Sequence, residues 1–260
     1  LKPEGLYGYD GARVVTQMEL EHRLLSGAMD AQQVVMIQCV GARSPEREYC
    51  SRICCRTAVK NARLIKEQNP EAHVHILYRD MQMYGTENEQ MLWDARGEGV
   101  RFDVFSPDRP PMVAEDRVRF YQPLTGEMTE IPCDLVVLST PLVPGEGAQA
   151  LSQLLRVPVD QNGFFLEAHA KLSPLDFSTK GIYLCGNAHY PANMREAAYQ
   201  ALGAASRASI VLSHDTIERV GTVAVVDETL CSSCFVCVKV CPYHVPKMNE
   251  RGKAEIEPMQ

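Results

Sequence analysis

The distribution of cysteines constrains this chain more than any other feature. Ten cysteines occur in 260 residues, and most of them fall into two short segments, 39–55 and 231–241. A disulfide scaffold spreads its cysteines to connect distant loops, and a chain of this length can bury a core without such links. The grouping therefore indicates metal binding and a reducing compartment, which we expect to be the cytoplasm.

The C-terminal group has the pattern Cys-x2-Cys-x2-Cys-x3-Cys-Pro, formed by Cys231, Cys234, Cys237, Cys241 and Pro242. This is the spacing of bacterial ferredoxins, whose thiolates hold [4Fe-4S] clusters. A structural zinc site is the alternative, but zinc ribbons use two separated cysteine pairs. In two-cluster ferredoxins the fourth cysteine ligates the other cluster, so the spacing leaves open whether Cys241 shares a cluster with the other three.

The N-terminal group, Cys39-x10-Cys50-x3-Cys54-Cys55, matches no common zinc or ferredoxin pattern. Cys50 and Cys54 share a face if this stretch is helical. Cys39 follows a predicted strand, at the sheet edge where Rossmann-type folds bind ligands. Four thiolates could therefore converge where a dinucleotide would normally bind, and of the expected glycine motif only Gly41 is present. The alternative is a set of buried structural cysteines.

Hydrophobic periodicity predicts an α/β protein with a Rossmann-like parallel sheet, followed by a small C-terminal ferredoxin-like α+β module. The pattern Thr-x-x-Glu at Thr16 and again at Thr86 predicts two helix-starting capping boxes. The predicted strands are 34–37, 73–78, 100–105, 134–139 and 182–185, with an antiparallel ribbon at 117–121 and 128–131. The predicted helices are 16–27, one through 58–65 that stops at 69, one from 86 through 95, 147–155 and 195–212.

Charge and hydropathy exclude two classes of partner. The net charge of −7 argues against non-specific nucleic-acid binding, which needs a basic face. The longest apolar runs are far shorter than a membrane-spanning helix, so we expect no membrane span.

The strings Cys39-Val-Gly-Ala-Arg43 and Tyr49-Cys50-Ser51-Arg52-Ile53-Cys54-Cys55 resemble the A-type subunit of heterodisulfide reductases. Stretches 134–139, 162–165 and 181–186 support the resemblance, which covers most of residues 31–250. It implies an iron–sulfur flavoprotein of anaerobic metabolism with a thioredoxin-reductase-like core. It also implies one unusual [4Fe-4S] cluster on Cys39, Cys50, Cys54 and Cys55, and ferredoxin-type ligation on Cys231, Cys234, Cys237 and Cys241.

The same resemblance implies an FAD site near a Gly-containing turn and the helix that follows it. A helix N-terminus there stabilises negative charge on a reduced flavin. The residues at these positions are Gly186, Asn187, Ala188, Met194, Arg195, Glu196 and Ala197. Next to them, His189 is expected to be a surface-loop residue.

As a function, the resemblance implies an oxidoreductase subunit that passes or bifurcates electrons between FAD and [4Fe-4S] clusters. Its partners would be other subunits of an electron-transfer complex and ferredoxin or a similar redox protein, with homo-oligomerisation left open. A similar component of a quinone-linked or other ferredoxin-coupled complex is the closest alternative. An NAD(P)H-dependent disulfide reductase is disfavoured because Cys54 and Cys55 are adjacent, and a structural zinc scaffold represents a different class.

Four parts are predicted along the chain. Residues 1–30 are a linker and helix from the FAD domain, 31–140 a Rossmann-like domain with the unusual cluster site, 141–218 the C-terminal part of the FAD-binding domain, and 219–260 a ferredoxin-like module. The chain begins with Leu1 and lacks the Gly-rich N-terminal FAD half, and residues 224–230 can be laid over 254–260. We therefore expect a fragment that a second ferredoxin half follows.

Overall fold

A computed structural model describes residues 1–216 and 223–256 of the chain. These residues belong to two units, Leu1–Val143 and Pro144–Gln260. Residues 1–30 lie within the first unit, and the four-part division stays a prediction. The end of the compared repeat, residues 257–260, lies outside the described residues, as do residues 219–222 at the start of the expected module.

A five-stranded parallel sheet forms the centre of the first unit, in the order β1-β8-β2-β3-β4. A three-stranded antiparallel sheet, β5-β6-β7, is inserted before β8. The predicted parallel α/β sheet and antiparallel ribbon are both confirmed. The strands are β1 (Val14–Thr16), β2 (Gln33–Ile37), β3 (His73–Tyr78), β4 (Arg101–Val104), β5 (Met112–Val113), β6 (Arg117–Gln122), β7 (Glu127–Pro132) and β8 (Leu135–Leu138).

Strands β1, β2 and β8 are buried on both faces of the parallel sheet, and successive side chains of each strand point to opposite sides. Val34 and Met36 pack on the side of helices α1 (Gln17–Ser26), α2 (Cys54–Gln68) and α3 (Thr86–Gly97). Val35 and Ile37 pack on the opposite side, against residues of the antiparallel sheet such as Phe120. The continuous apolar run in β2 therefore reflects burial on two faces.

One of the two predicted capping boxes is confirmed. Thr16 is the N-cap of α1, where its side chain accepts a hydrogen bond from the N–H of Glu19 and the Glu19 carboxylate accepts one from the N–H of Thr16. The prediction at Thr86 is wrong, because Gly85 is the N-cap of α3 and Thr86 is already helical.

The second unit contains α4 (Ala148–Leu155), a 3-10 turn at Gly186–Ala188, α5 (Met194–Leu212), α6 (Val236–Val240) and a ribbon of β9 (Lys247–Met248) and β10 (Ala254–Glu255). Its core contains Phe165 and Phe177, whose rings meet edge to face at 6.0 Å. The predicted strand 182–185 is wrong, since this segment forms a single antiparallel bridge, between Tyr183 and Asp176. Within the described parts of both units, no helix has the length and apolar character needed to cross a bilayer.

Candidate cofactor sites

The N-terminal cysteines lie where β2 ends and α2 begins. Cys39 follows β2 with a left-handed backbone, φ +62°, while Cys54 and Cys55 are the first two residues of α2. Cys50 lies in the loop before α2, so the helical condition under which it would share a face with Cys54 is not met. The turn at Cys39 and the start of the helix, rather than helical spacing, bring these residues together.

All four thiols of this group lie within electrostatic range of one another. Burial is the main effect that raises the pKa of Cys54 to about 12 and that of Cys55 to about 11. Electrostatic interactions connect every pair among Cys39, Cys50, Cys54 and Cys55. All ten cysteines, each within the described ranges, are free. The raised pKa values of Cys54 and Cys55 mean that a metal must displace the protons of these two thiols when it binds.

Hydrogen-bond donors surround these sulfur atoms. The N–H of Arg52 donates to Cys50 Sγ at 3.3 Å, and the backbone N–H of Gln82 donates to the Cys55 sulfur. The guanidinium of Arg43, which is paired with Asp80 at 2.7 Å, also interacts with the Cys39 sulfur. Donors of this kind stabilise thiolate ligands, and the group therefore fits a cluster with four cysteine ligands.

A cavity of about 450 Å³ opens beside this group. It lies between the N-terminal ends of α1 and α2, and Gln17, Cys54, Thr57, Ser139 and Leu142 are among its lining residues. The Cys54 thiol donates to the carbonyl oxygen of Thr140 at 3.5 Å along the same edge of the sheet. One side of the cysteine group is therefore accessible.

The C-terminal cysteines have different surroundings. Cys231 Sγ accepts a hydrogen bond from the N–H of Ala254 at 3.4 Å and another from the N–H of Ser233. Together these two hydrogen bonds lower the pKa of Cys231. The N–H of Val236 likewise lowers the pKa of Cys234. Cys237 lies on α6, Cys241 ends it, and Cys234 and Cys237 are exposed. These hydrogen bonds favour the thiolate forms of Cys231 and Cys234 relative to an ordinary cysteine, which suits cluster ligands.

A single metal ion needs several ligand side chains that point to one position. Among the described residues, no three His, Cys, Asp or Glu side chains form a group that could hold a single metal ion. The four thiolates of a [4Fe-4S] cluster bind four different iron atoms and need not meet at one point.

The predicted flavin residues form one connected turn. Gly186 has φ +63°, and its N–H donates to Gln200 Oε1 at 2.7 Å. Asn187 Oδ1 accepts the N–H of Ala192 at 2.7 Å, and the carbonyl oxygen of Ala188 accepts the N–H of Phe165 at 2.9 Å. This turn precedes the start of α5.

The expected helix start at Met194 is confirmed, and Asn193 is its N-cap. The Glu196 carboxylate accepts the N–H of Asn193 at 3.0 Å, while Asn193 Oδ1 accepts the N–H of Glu196 at 2.9 Å. Met194 is largely exposed, and Arg195 follows it in the first turn. Glu196 thus has a capping role in addition to its predicted place at the flavin site. Gly186 packs closely against this helix, since a side chain at position 186 would place its Cβ 3.6 Å from that of Ala197.

The surface-loop prediction for His189 is wrong. This residue is only 8% exposed, and its Nε2 lies 2.8 Å from Glu167 Oε2. Burial would raise the pKa of Glu167, but the hydrogen bond with His189 and other contacts hold it below its ordinary value. Glu167 lies far from His189 in sequence, so no local pattern could have indicated this pair.

Comparison with known proteins identifies relatives by sequence, although no family model matches the chain. The A-type subunit of the H(2):CoB-CoM heterodisulfide,ferredoxin reductase of Methanothermobacter marburgensis is 36% identical over 96% of this chain. The A-type iron-sulfur subunit of the CoB–CoM heterodisulfide reductase of Methanocaldococcus jannaschii is 38% identical over 94%. The chain spans 40% of the length of each of these relatives.

Solved structures show the same fold at low sequence identity. Thioredoxin reductase of T. acidophilum is similar with a TM-score of 0.52, at 16% identity, over 81% of this chain and 62% of that protein. Thioredoxin reductase of Lactococcus lactis has a TM-score of 0.50, at 17% identity, over 81% and 63% of the two chains. These likenesses confirm the thioredoxin-reductase-like fold.

Proposed function

We propose that this chain is part of an A-type heterodisulfide reductase subunit, which its similarity to two such subunits supports, and that it serves as an electron-transfer part of such an oxidoreductase complex. It passes or bifurcates electrons between FAD and [4Fe-4S] clusters in the cytoplasm. Its partners are other subunits of the complex and ferredoxin or a similar redox protein. The observation that supports the proposal is the placement of four cysteines, all within electrostatic range of one another, at the carboxyl edge of the parallel sheet.

At that edge, Cys39, Cys50, Cys54 and Cys55 would hold one [4Fe-4S] cluster, which supplies one-electron chemistry when bound. The four cysteines provide thiolate ligands, and the backbone N–H groups of Arg52 and Gln82 stabilise the charge on two of them. Because these residues lie at the point where a dinucleotide pyrophosphate binds in Rossmann folds, the same edge would be closed to a nicotinamide cofactor.

The second unit would supply the remaining redox sites. Cys231, Cys234, Cys237 and Cys241 would provide ferredoxin-type ligands, and the exposure of two of them would allow close approach by a redox partner. Gly186, Asn187 and Ala188 with the N-terminus of α5 would contact FAD. That helix end favours negative charge, which a reduced flavin carries.

Iron and sulfide analysis of anaerobically purified chain tests the proposal. The double variant Cys54→Ser/Cys55→Ser should lose about four iron atoms and four sulfides per chain, the content of one cubane. The matched control is Cys133→Ser, because Cys133 is buried and lies outside both cysteine groups. This control should retain all its iron. Unchanged iron in the double variant would contradict the N-terminal cluster.

A further inference from the structure

The parallel sheet ends in a layer of polar side chains next to the N-terminal cysteines. Val34 and Met36 of β2 face α1 and α2, and Gln38 is the next residue on that face because side chains alternate. The strand pairing continues to this point, since the N–H of Gln38 donates to the carbonyl oxygen of Leu77 at 2.9 Å. Ser139 takes the corresponding place after β8.

Most of this polar layer is internally hydrogen-bonded. Gln17 Nε2 donates to Ser139 Oγ at 3.1 Å, and Asn61 Nδ2 donates to Gln17 Oε1 at 2.8 Å. These bonds connect α1, α2 and the end of β8. Among the described residues, Asn61 Oδ1 lacks a partner, and Gln38 differs in that it is 1% exposed and both its amide nitrogen and its amide oxygen lack one.

An unpartnered amide at this place needs an explanation. Burial of a polar group without a partner costs about 1–3 kcal/mol, and nearly all buried polar groups in folded proteins are satisfied. Gln38 directly precedes Cys39, and Cys55 packs in the same buried cluster as Met36 on this face of the sheet. The missing partner is therefore to be sought in what the cysteine group binds.

We propose that Gln38 is a cofactor-contacting residue whose Nε2–H donates a hydrogen bond to sulfur of a [4Fe-4S] cluster held by the Cys39 group. The inference rests on the proposed function, because it requires that cluster. N–H groups bonded to cluster sulfur stabilise the more negative, reduced state and so raise the reduction potential. Gln38 thus tunes the potential of this cluster, a role distinct from ligation.

The variant Gln38→Met tests the inference, since methionine has a similar length and no N–H donor. The full chain is loaded with iron, and an anaerobic redox titration follows, by electron paramagnetic resonance, the cluster signal that Cys54→Ser/Cys55→Ser removes. We expect Gln38→Met to lower the ratio of reduced to oxidised cluster about tenfold at a fixed potential, a shift of about 59 mV for one electron. The matched control, Gln33→Met at the opposite end of β2, should leave the potential unchanged.

A second measurement on the metal-free chain distinguishes this role from a structural one. Without the cluster, Gln38→Met should unfold at the same or a higher urea concentration than the unsubstituted chain, because the variant removes an unsatisfied buried amide. A large loss of metal-free stability would show that Gln38 has a structural partner and would overturn the inference.

The possible failures are separable. If the cluster signal is present but Gln38→Met leaves its potential unchanged, the inference about Gln38 is wrong and the proposed function stands. If the unsubstituted chain holds no iron at the Cys39 group, the proposed cluster is wrong and the inference about Gln38 fails with it.

Discussion

Removal of iron should open segment 223–256 while the parallel sheet stays folded. Within this described segment, Ala254 is the single buried hydrophobic residue, and the strands β9 and β10 have two residues each. Burial of one methyl group contributes about 0.8 kcal/mol, less than the roughly 1–2 kcal/mol needed to order one residue's backbone. The segment should therefore need a bound cluster to stay folded, as small metal-binding modules do, and should lose its structure when the metal is removed.

The expected contrast can be calculated. Opening of the metal-free segment should cost about 1 kcal/mol or less, which corresponds to roughly fivefold protection of its amides from hydrogen exchange. The amides of β2, which is buried on both faces, should exchange only through unfolding of the sheet, which costs at least about 5 kcal/mol. This cost corresponds to more than about thousandfold protection from hydrogen exchange. Hydrogen-exchange mass spectrometry of one sample, before and after anaerobic chelation, measures both regions together.

The double variant Cys234→Ser/Cys237→Ser serves as the control for chelation. Its segment 223–256 should exchange rapidly even when iron is supplied, whereas its β2 amides should stay protected. If the segment kept more than about hundredfold protection after chelation, its own contacts would suffice to fold it and the reasoning from its missing core would be refuted.

Two further predictions concern α1. Leu20→Ala should lower the free energy of unfolding by about 2–5 kcal/mol, because Leu20 is 0% exposed. The control Leu25→Ala, at a residue of the same helix that is 86% exposed, should change it by less than about 0.5 kcal/mol. Equal losses of the two variants in urea unfolding would contradict the packing of α1. Glu19→Gln should cost about 1 kcal/mol at pH 7. Partial burial would raise the pKa of Glu19, but hydrogen bonds from Thr16 and Tyr9 lower it below 4.5, so this stabilisation is complete above that pH and is lost as pH falls through the folded-state pKa. A cost that stayed constant from pH 7 to pH 3 would contradict that assignment.

Local pattern predicted much of the first unit. The Thr16 capping box depends on residues close in sequence, and the apolar run of β2 is a local signature of a strand buried on both faces; both agree with the structure. The same Thr-x-x-Glu pattern at Thr86 gave a wrong prediction, because α3 begins one residue earlier than a capping box requires. Gly85 is the N-cap, and its φ of +92° suits the preceding turn. A pattern of residue types does not by itself determine the residue at which a helix begins.

Long-range contacts set the limit of prediction at the candidate sites. The C-terminal cysteine group was recognisable from its spacing, whereas the N-terminal group matches no common pattern and was indicated by its cysteine density and by the family resemblance. The burial of His189 depends on Glu167, and the status of Gln38 depends on which groups surround it in the folded sheet. A polar residue directly after a buried strand was visible in the sequence, but the lack of a partner for its amide became evident only from the packed layer.

The strand order also has a consequence during protein synthesis. β8 lies between β1 and β2 in the sheet, although about 100 residues separate it from β2, a stretch that takes about 5–20 s to translate. Throughout that interval β1 and β2 lack the strand that joins them, and the cysteines of segment 39–55 have left the ribosome before Ser139 and Thr140 exist. A nascent chain therefore presents these thiols in an open form first, and encloses them only when β8 emerges.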